Sequence, residues 1–118
     1  MRIFLLAALL LTWWTGFAAD SDIETRAEID FLLTAVGDSG CTFLRNGEAH
    51  SATEAEGHLR MKYRRGRRYA STTEEFIERL ASSSSMSRKP YLILCGNTDP
   101  VPTYDWLFER LREYRETE

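Results

Sequence analysis

Hydrophobic positions fall into two regimes along this chain. From Ile3 to Trp14 they are unbroken apart from Thr12, whereas beyond Asp20 they recur at helical or strand spacing. In the second regime Ile29, Leu32, Leu33 and Val36 stand at i, i+3, i+4 and i+7, the apolar stripe of an amphipathic helix. Ser21 with Glu24 forms a capping box that predicts its start, and Gly37, Asp38 and Gly40 predict its end. Cys41 to Arg45 is short and β-leaning, and Asn46-Gly47 after it is a strong turn dipeptide. Ser51 with Glu54 opens a second helix through Ala52, Ala55, Leu59 and Tyr63, with Gly66 as its stop. Thr72 with Glu75 opens a third, carrying Phe76, Ile77, Leu80 and Ala81. The serines from Ser82 to Ser85 then continue a helix poorly, because each hydroxyl competes for backbone hydrogen bonds.

Beyond Pro90, Tyr91 to Cys95 is a continuous apolar run of strand length, expected to be buried on both faces. Asn97 to Pro102 reads as a turn-rich connector. A last helix from about Thr103 aligns Tyr104, Leu107, Phe108, Leu111 and Tyr114. The expected order is therefore α, β, α, α, β, α. That is an α+β domain of four helices packed on a short antiparallel two-stranded ribbon. A lone ribbon is marginal, so the helices must supply most of the core.

The first regime has a different meaning. Met1-Arg2, the Ile3–Trp14 run and Gly16-Phe17-Ala18 follow the order of a cleavable secretory signal. Cleavage after Ala18 puts small Gly16 at the −3 position, so residues 1–18 are expected to leave and 19–118 to form one exported domain. The apolar run is shorter than the ~20 residues that span a bilayer, so no stable membrane insertion is expected after cleavage. Cutting removes only Arg2 from the charge count and takes the net charge from −3 to −4. A mildly acidic chain does not read as a nucleic-acid binder. Export changes the reading of the only two cysteines, Cys41 and Cys95, which become one disulfide in an oxidising compartment. Cys41 starts one strand and Cys95 ends the other, which requires adjacent antiparallel strands.

Three patterns could carry chemistry. His50, Glu54 and His58 are spaced by four, but the two histidines would lie ~12 Å apart along a helix, too far for one ion. No metal and no cofactor is therefore expected. Five serines between Ser82 and Ser87, or Cys41, could in principle serve a small hydrolase, yet no Gly-x-Ser-x-Gly or Ser-x-x-Lys motif is present. Arg60, Lys62, Arg64, Arg65, Arg67 and Arg68 concentrate six cations in nine residues. Near a helix C-terminus these complement the helix dipole, and Glu56 can pair with Arg60; a structural envelope protein could use the same 60–68 run to engage an anionic polymer.

The segments Phe43, Arg45-Asn46-Gly47, Ala49-His50, Glu54-Ala55, His58-Leu59-Arg60, Thr72 to Ile77, Ala81 to Ser85 and Lys89-Pro90-Tyr91 together resemble the YfeK-like family of small exported bacterial proteins, domain of unknown function 5329. The resemblance runs from about Ile23 to Cys95 and implies a periplasmic setting, but no activity, substrate or catalytic residue. Arg88 stands where the family pattern has a glycine before Lys-Pro-Tyr, which puts a tight glycine turn there in question. In the antiparallel ribbon, the end opposite the cysteines should gather Arg45, Asn46, His50, Ser84, Ser85 and Lys89 on one rim, with His58 a turn or two along the next helix. Hydroxyls, an amide and cations suit an anionic or strongly hydrogen-bonding ligand, such as a carboxylate-bearing peptide or sugar. The expectation is a periplasmic binding or accessory protein, with no catalytic residue assigned, whose partner is an envelope component or protein.

Overall fold

In the computed structural model, which describes residues 17–118, the chain opens with helix α1, Phe17–Asp38. The helix already includes Ser21, so the capping box at Ser21 does not start it. Ala18 and Ala19 are the strongest helix formers, and nothing between Phe17 and Ser21 interrupts the spiral. The expected stripe is the heart of the core: Ile29, Leu32, Leu33 and Val36 are all buried. Ser39 closes the helix by donating its hydroxyl to the Val36 carbonyl at 2.7 Å. Gly40, at φ +65°, then turns the chain into the sheet. The expected signal segment lies outside the described residues apart from its last two positions.

The sheet has four strands, not two. β1 (Thr42–Arg45) pairs with β2 (Glu48–His50) and with β3 (Leu92–Leu94), and β4 (Val101–Pro102) adds to the far side of β3. All neighbours are antiparallel, in the order β2-β1-β3-β4. β2 has no β-branched or aromatic residue to announce it. It forms because Asn46 and Gly47 adopt φ of 51° and 81°, the doubly left-handed turn that matches the twist of a two-residue hairpin. β4 was expected to be plain connector; it is two residues long, and its proline is tolerated on an edge strand. Phe43 and Ile93, paired across β1 and β3, are buried, while Leu92 and Leu94 stay half-buried. The Tyr91–Cys95 run is therefore fully covered on one face only.

Just beyond the Thr42–Leu94 pair, Cys41 and Cys95 form a disulfide with their Cα atoms 4.5 Å apart. This is the antiparallel arrangement the cysteine positions required.

Helix α2 (Ala52–Gly66) starts as expected, with Ser51 Oγ accepting the Glu54 amide. Its buried stripe is Ala52, Ala55, Leu59, Lys62 and Gly66, so Lys62 belongs to the interior and not to a solvated basic face. Gly66 is the last residue of the helix, but it serves packing and not a left-handed stop. Its φ is −107°, outside the left-handed region, but a Cβ there would come within 2.7 Å of the Leu80 side chain. A 3₁₀ turn, Arg67–Tyr69, leads to α3, which opens as the α turn Thr73–Glu75 and continues as a π-helix over Phe76–Ala81. Thr72 caps it, accepting from the Glu75 amide at 3.1 Å.

The serine run folds back on itself. Ser83 bridges Pro90, the Ser84 amide donates to the Lys89 carbonyl, and Arg88 donates to the Ser84 carbonyl. Arg88 sits at φ +59°, so the tight turn that usually needs glycine is kept with an arginine in it. A left-handed conformation costs a Cβ-bearing residue about 1 kcal/mol. Arg88→Gly should accordingly raise stability by a few tenths to about 1 kcal/mol, less whatever flexibility glycine adds to the unfolded chain. A urea midpoint that falls in this variant would contradict the strained-turn account.

Helix α4 (Thr103–Glu116) crosses α1 and buries Leu107 and Leu111. Tyr104, expected on the same stripe, is 40% exposed and leans against Phe108, the two rings tilted by 55°. The Glu28 carboxylate of α1 accepts from Thr73 at 2.7 Å and from Arg115 at 2.7 and 3.0 Å, which ties α1, α3 and α4 together. These bonds hold its pKa below the usual carboxylate value, with the Arg115 hydrogen bond the main cause.

Candidate functional site

Strand alternation decides which side chains meet α2. Arg45 lies two residues after buried Phe43, His50 pairs with Phe43, and Tyr91 lies two residues before buried Ile93. All three therefore stand on the helix-covered face. Arg45 and Tyr91 lie towards the end of the sheet away from the disulfide; His50 is nearer the disulfide, opposite Phe43, not on the far rim where the sequence reading put it. From α2, His58 and Lys62 at i and i+4 meet them. The His58 ring is edge-on to Tyr91 at 6.1 Å between centroids, and its Nε2 lies 3.3 Å from the Tyr91 hydroxyl. Lys62 Nζ donates to that hydroxyl at 3.0 Å and to the Ser83 carbonyl at 2.9 Å.

Two cavities share this wall. A chamber of about 260 Å³ is bounded by apolar Phe43, Ala55 and Leu59, with His50, Glu54 and Thr103 as polar lining. An open groove of about 620 Å³ runs past Asn46, Lys62, Arg65, Ser84 and Ser85. Arg45, His58 and Tyr91 line both. Of the rim expected from sequence, Arg45, Asn46, His58, Ser84 and Ser85 thus border the groove, and His50 borders the chamber. Asn46 meets the serine loop directly, its Oδ1 accepting from Ser87 Oγ at 2.6 Å. Lys89 is exposed and borders neither cavity.

The electrostatics are one-sided. Burial first, and then the positive charges of Arg45, Lys62 and His50, push the His58 pKa down to about 4, so it is neutral at pH 7. Burial and then Arg45 push Lys62 down to about 8, so it keeps most of its charge there. Burial raises the Tyr91 hydroxyl, with Arg45 opposing, so it stays a hydrogen-bonding phenol. Glu54 is the carboxylate of the chamber, and it is engaged by His50 Nδ1 at 3.2 Å. Among the described residues Arg45 has no ion-pair partner. Two polar atoms at the chamber, His50 Nε2 and Thr103 Oγ1, are buried without a hydrogen-bond partner among the described residues. The nearest carboxylate oxygen to His50 Nε2, on Glu48, is 3.8 Å away, beyond hydrogen-bond range.

Lys62, Tyr91 and Thr103 escape a reading by motif. The recurrence 52, 55, 59, 62, 66 is the signal that places Lys62 on the buried side. No comparable pattern marks Thr103, which reaches the chamber because its amide donates to the Tyr91 carbonyl at 2.9 Å.

The other chemistry-bearing patterns take different places. Neither imidazole hydrogen-bonds a serine among the described residues, and Cys41 is held in the disulfide. No cluster of three metal-ligating side chains occurs among the described residues. The basic run splits: Arg60 is paired with Glu56 and Asp30, Lys62 is buried, and Arg67 and Arg68 lie over the Tyr63 and Tyr69 rings. Arg64 and Arg65 are exposed.

Fold and site together define a small disulfide-linked α+β domain with a cationic groove between one helix and a four-stranded antiparallel sheet. The chain belongs to the family of unknown function DUF5329, which matches residues 23–115. It is 42% identical over 87 residues to the uncharacterized protein YfeK of Salmonella typhimurium, covering 71% of this chain and 69% of that protein. No solved structure matches. Among the described residues no helix is long and apolar enough to cross a membrane.

Proposed function

We propose that this chain is exported, loses residues 1–18, and acts in the periplasm as a binding module that takes an anionic ligand in the groove at Arg45. The observation that carries this reading is a pair of cations, Arg45 and Lys62, facing one cavity system whose carboxylate, Glu54, is engaged by His50. Burial first, and then the neighbouring charge of Arg45, lower the Lys62 and His58 pKa values, so positive charge is held here at a cost that an arriving anion offsets. Lys62 spends two of its three N–H groups on Ser83 and Tyr91, which leaves one for a ligand. Arg45 offers a planar fork suited to a carboxylate. Asn46, Ser84 and Ser85 add neutral hydrogen-bonding capacity along the groove.

Titration of residues 19–118 with simple carboxylates, followed by calorimetry, tests the site. Arg45→Gln should weaken binding by roughly tenfold or more, since a charge-assisted hydrogen bond contributes about 1.5–3 kcal/mol. The variant should melt at or slightly above the parent's temperature, because no ion pair is lost and a positive charge beside Lys62 is removed. Binding should also weaken as pH rises from 7 to 9, because Lys62 loses its proton around pH 8 and with it one of the two attractions. Carboxylates that fail to bind at millimolar concentration, or that bind Arg45→Gln equally well, would sink the reading. Export is tested separately by mass spectrometry of the cell fractions. The expected N-terminus is Ala19, and an intact Met1 form in the membrane fraction would overturn it.

A further inference from the structure

We infer that the anionic ligand is an amphipathic carboxylate, its unbranched hydrocarbon tail in the chamber and its carboxylate at Arg45; this rests on the binding reading above. The chamber, about 260 Å³, meets the groove along the wall formed by Arg45, His58 and Tyr91, so a head group beside Arg45 and a tail in the chamber share one continuous space. Buried Phe43, Ala55 and Leu59 line it with apolar surface. Its polar atoms are mostly closed or already engaged. Thr103 Oγ1 and His50 Nε2 are buried out of an occupant's reach. His50 Nδ1 is held by Glu54, and His58 Nε2 lies against the Tyr91 hydroxyl, which also accepts from Lys62. The β1 backbone carrying Phe43 and Arg45 is paired on both sides, with β2 and with β3. The Glu54 side chain is 66% exposed, so solvent screens its charge. Among the described residues, Arg45 is the only arginine or lysine lining the chamber, and it has no ion-pair partner.

One free cation beside an otherwise apolar wall separates hydrocarbon tails from polar ones. A hydroxylated ring or a peptide amide drawn into the chamber gives up its water and finds no free partner there, and a buried unpaired polar group is costly. A methylene chain carries no such penalty, and each methylene taken out of water raises affinity by up to about fourfold. Size favours a chain over a short side chain. A cavity of about 150 Å³ lined by leucine, isoleucine and phenylalanine holds the six carbons of benzene. Scaled by volume, this chamber has room for about ten carbons, and a leucine side chain would fill less than half of it.

Calorimetry and amide chemical-shift mapping on residues 19–118 test this with acetate, butyrate, hexanoate, octanoate and decanoate. D-glucuronate, N-acetyl-leucine and 1-octanol complete the set as a polar-ringed carboxylate, a peptide-like carboxylate and a tail without charge. Affinity should rise about two- to fourfold per methylene from butyrate onwards and level off near ten carbons. Octanoate should bind at least roughly tenfold more tightly than glucuronate, N-acetyl-leucine or octanol, and should shift the amides of Phe43, Ala55 and Leu59 as well as Arg45. Ala55→Leu fills part of the chamber and should weaken octanoate by about tenfold or more, towards the affinity of acetate. If that variant does not fold, the parent's amide shifts decide: octanoate that moves Arg45 but neither Phe43 nor Leu59 counts against a tail in the chamber. Affinities that ignore chain length, or N-acetyl-leucine binding as tightly as octanoate, would overturn the amphipathic class while leaving the anion site intact. Octanol binding as tightly as octanoate would overturn the role of Arg45, and failure of every carboxylate would overturn both readings.

Discussion

Replacing Cys41 and Cys95 together by alanine should cost this domain roughly 4 kcal/mol. The two residues are 54 apart in sequence, and the chain entropy released in the unfolded state when a loop of that size is opened gives this figure. Small domains are stable by only about 5–15 kcal/mol in total, so the double variant should be partly unfolded at 37 °C. The physical need is visible in the sheet. β1 and β3 share three register pairs and β3 and β4 two, so the ladder is short, and the covalent link closes it at the Thr42–Leu94 end. Urea denaturation of parent and Cys41→Ala/Cys95→Ala proteins decides the matter. A loss below about 1 kcal/mol would mean that the unfolded chain is already compact enough for the cross-link to matter little. Two reactive thiols per chain in the purified protein would show that the bond does not form at all.

The legible parts of this fold are those where one local rule acts alone. The α1 stripe at 29, 32, 33 and 36, the caps at Ser51 and Thr72, and the antiparallel neighbourhood of Cys41 and Cys95 needed nothing beyond spacing and turn chemistry. β2 and β4 were missed because three and two residues carry almost no intrinsic preference; they are strands by virtue of their neighbours. The register of the β1–β2 hairpin was nonetheless within reach. A two-residue Asn46-Gly47 loop forces Arg45 opposite Glu48 and Phe43 opposite His50, and so puts His50 on the same face as a core phenylalanine.

The candidate site was harder to see because half of it is tertiary. Arg45, Asn46, His50, His58, Ser84 and Ser85 stood out as polar residues among turns and caps, and they border the two cavities. Lys62 was hidden inside a run of six cations, where charge drew attention away from its place at buried helical spacing. Tyr91 read only as the start of an apolar strand, although its hydroxyl is the point where His58 and Lys62 converge. Lys89 looked like a rim cation because it adjoins Pro90 in sequence. Its backbone pairs with Ser84 in the loop, and its side chain stays exposed.

Phe76→Ala should be the most damaging single core substitution on α3, costing about 3–5 kcal/mol. Phe76 is fully buried at the point where the helix passes from α to π winding, and its ring meets Tyr63 of α2 edge-on at 5.5 Å. The truncation removes the transfer energy of the ring and leaves a void that the neighbouring buried Ile77 and Leu80 cannot fill without shifting the helix. Met86→Ala provides the matched control. Met86 is 94% exposed at the tip of the serine loop, and its truncation should change stability by no more than about 0.5 kcal/mol. Calorimetric or urea unfolding of the two variants checks both halves, and comparable losses would mean that the loop tip is packed and the burial pattern wrong. Phe76 also bears on the groove through the chain that follows it. The helix it anchors delivers Ser82 and Ser83, and the Ser83 carbonyl takes one of the Lys62 hydrogens. Where Phe76→Ala remains folded at low temperature, a carboxylate affinity close to that of the parent would show that the groove is held by Lys62 and Tyr91 locally. An affinity lost in step with stability would show that α3 packing sets the position of the serine loop.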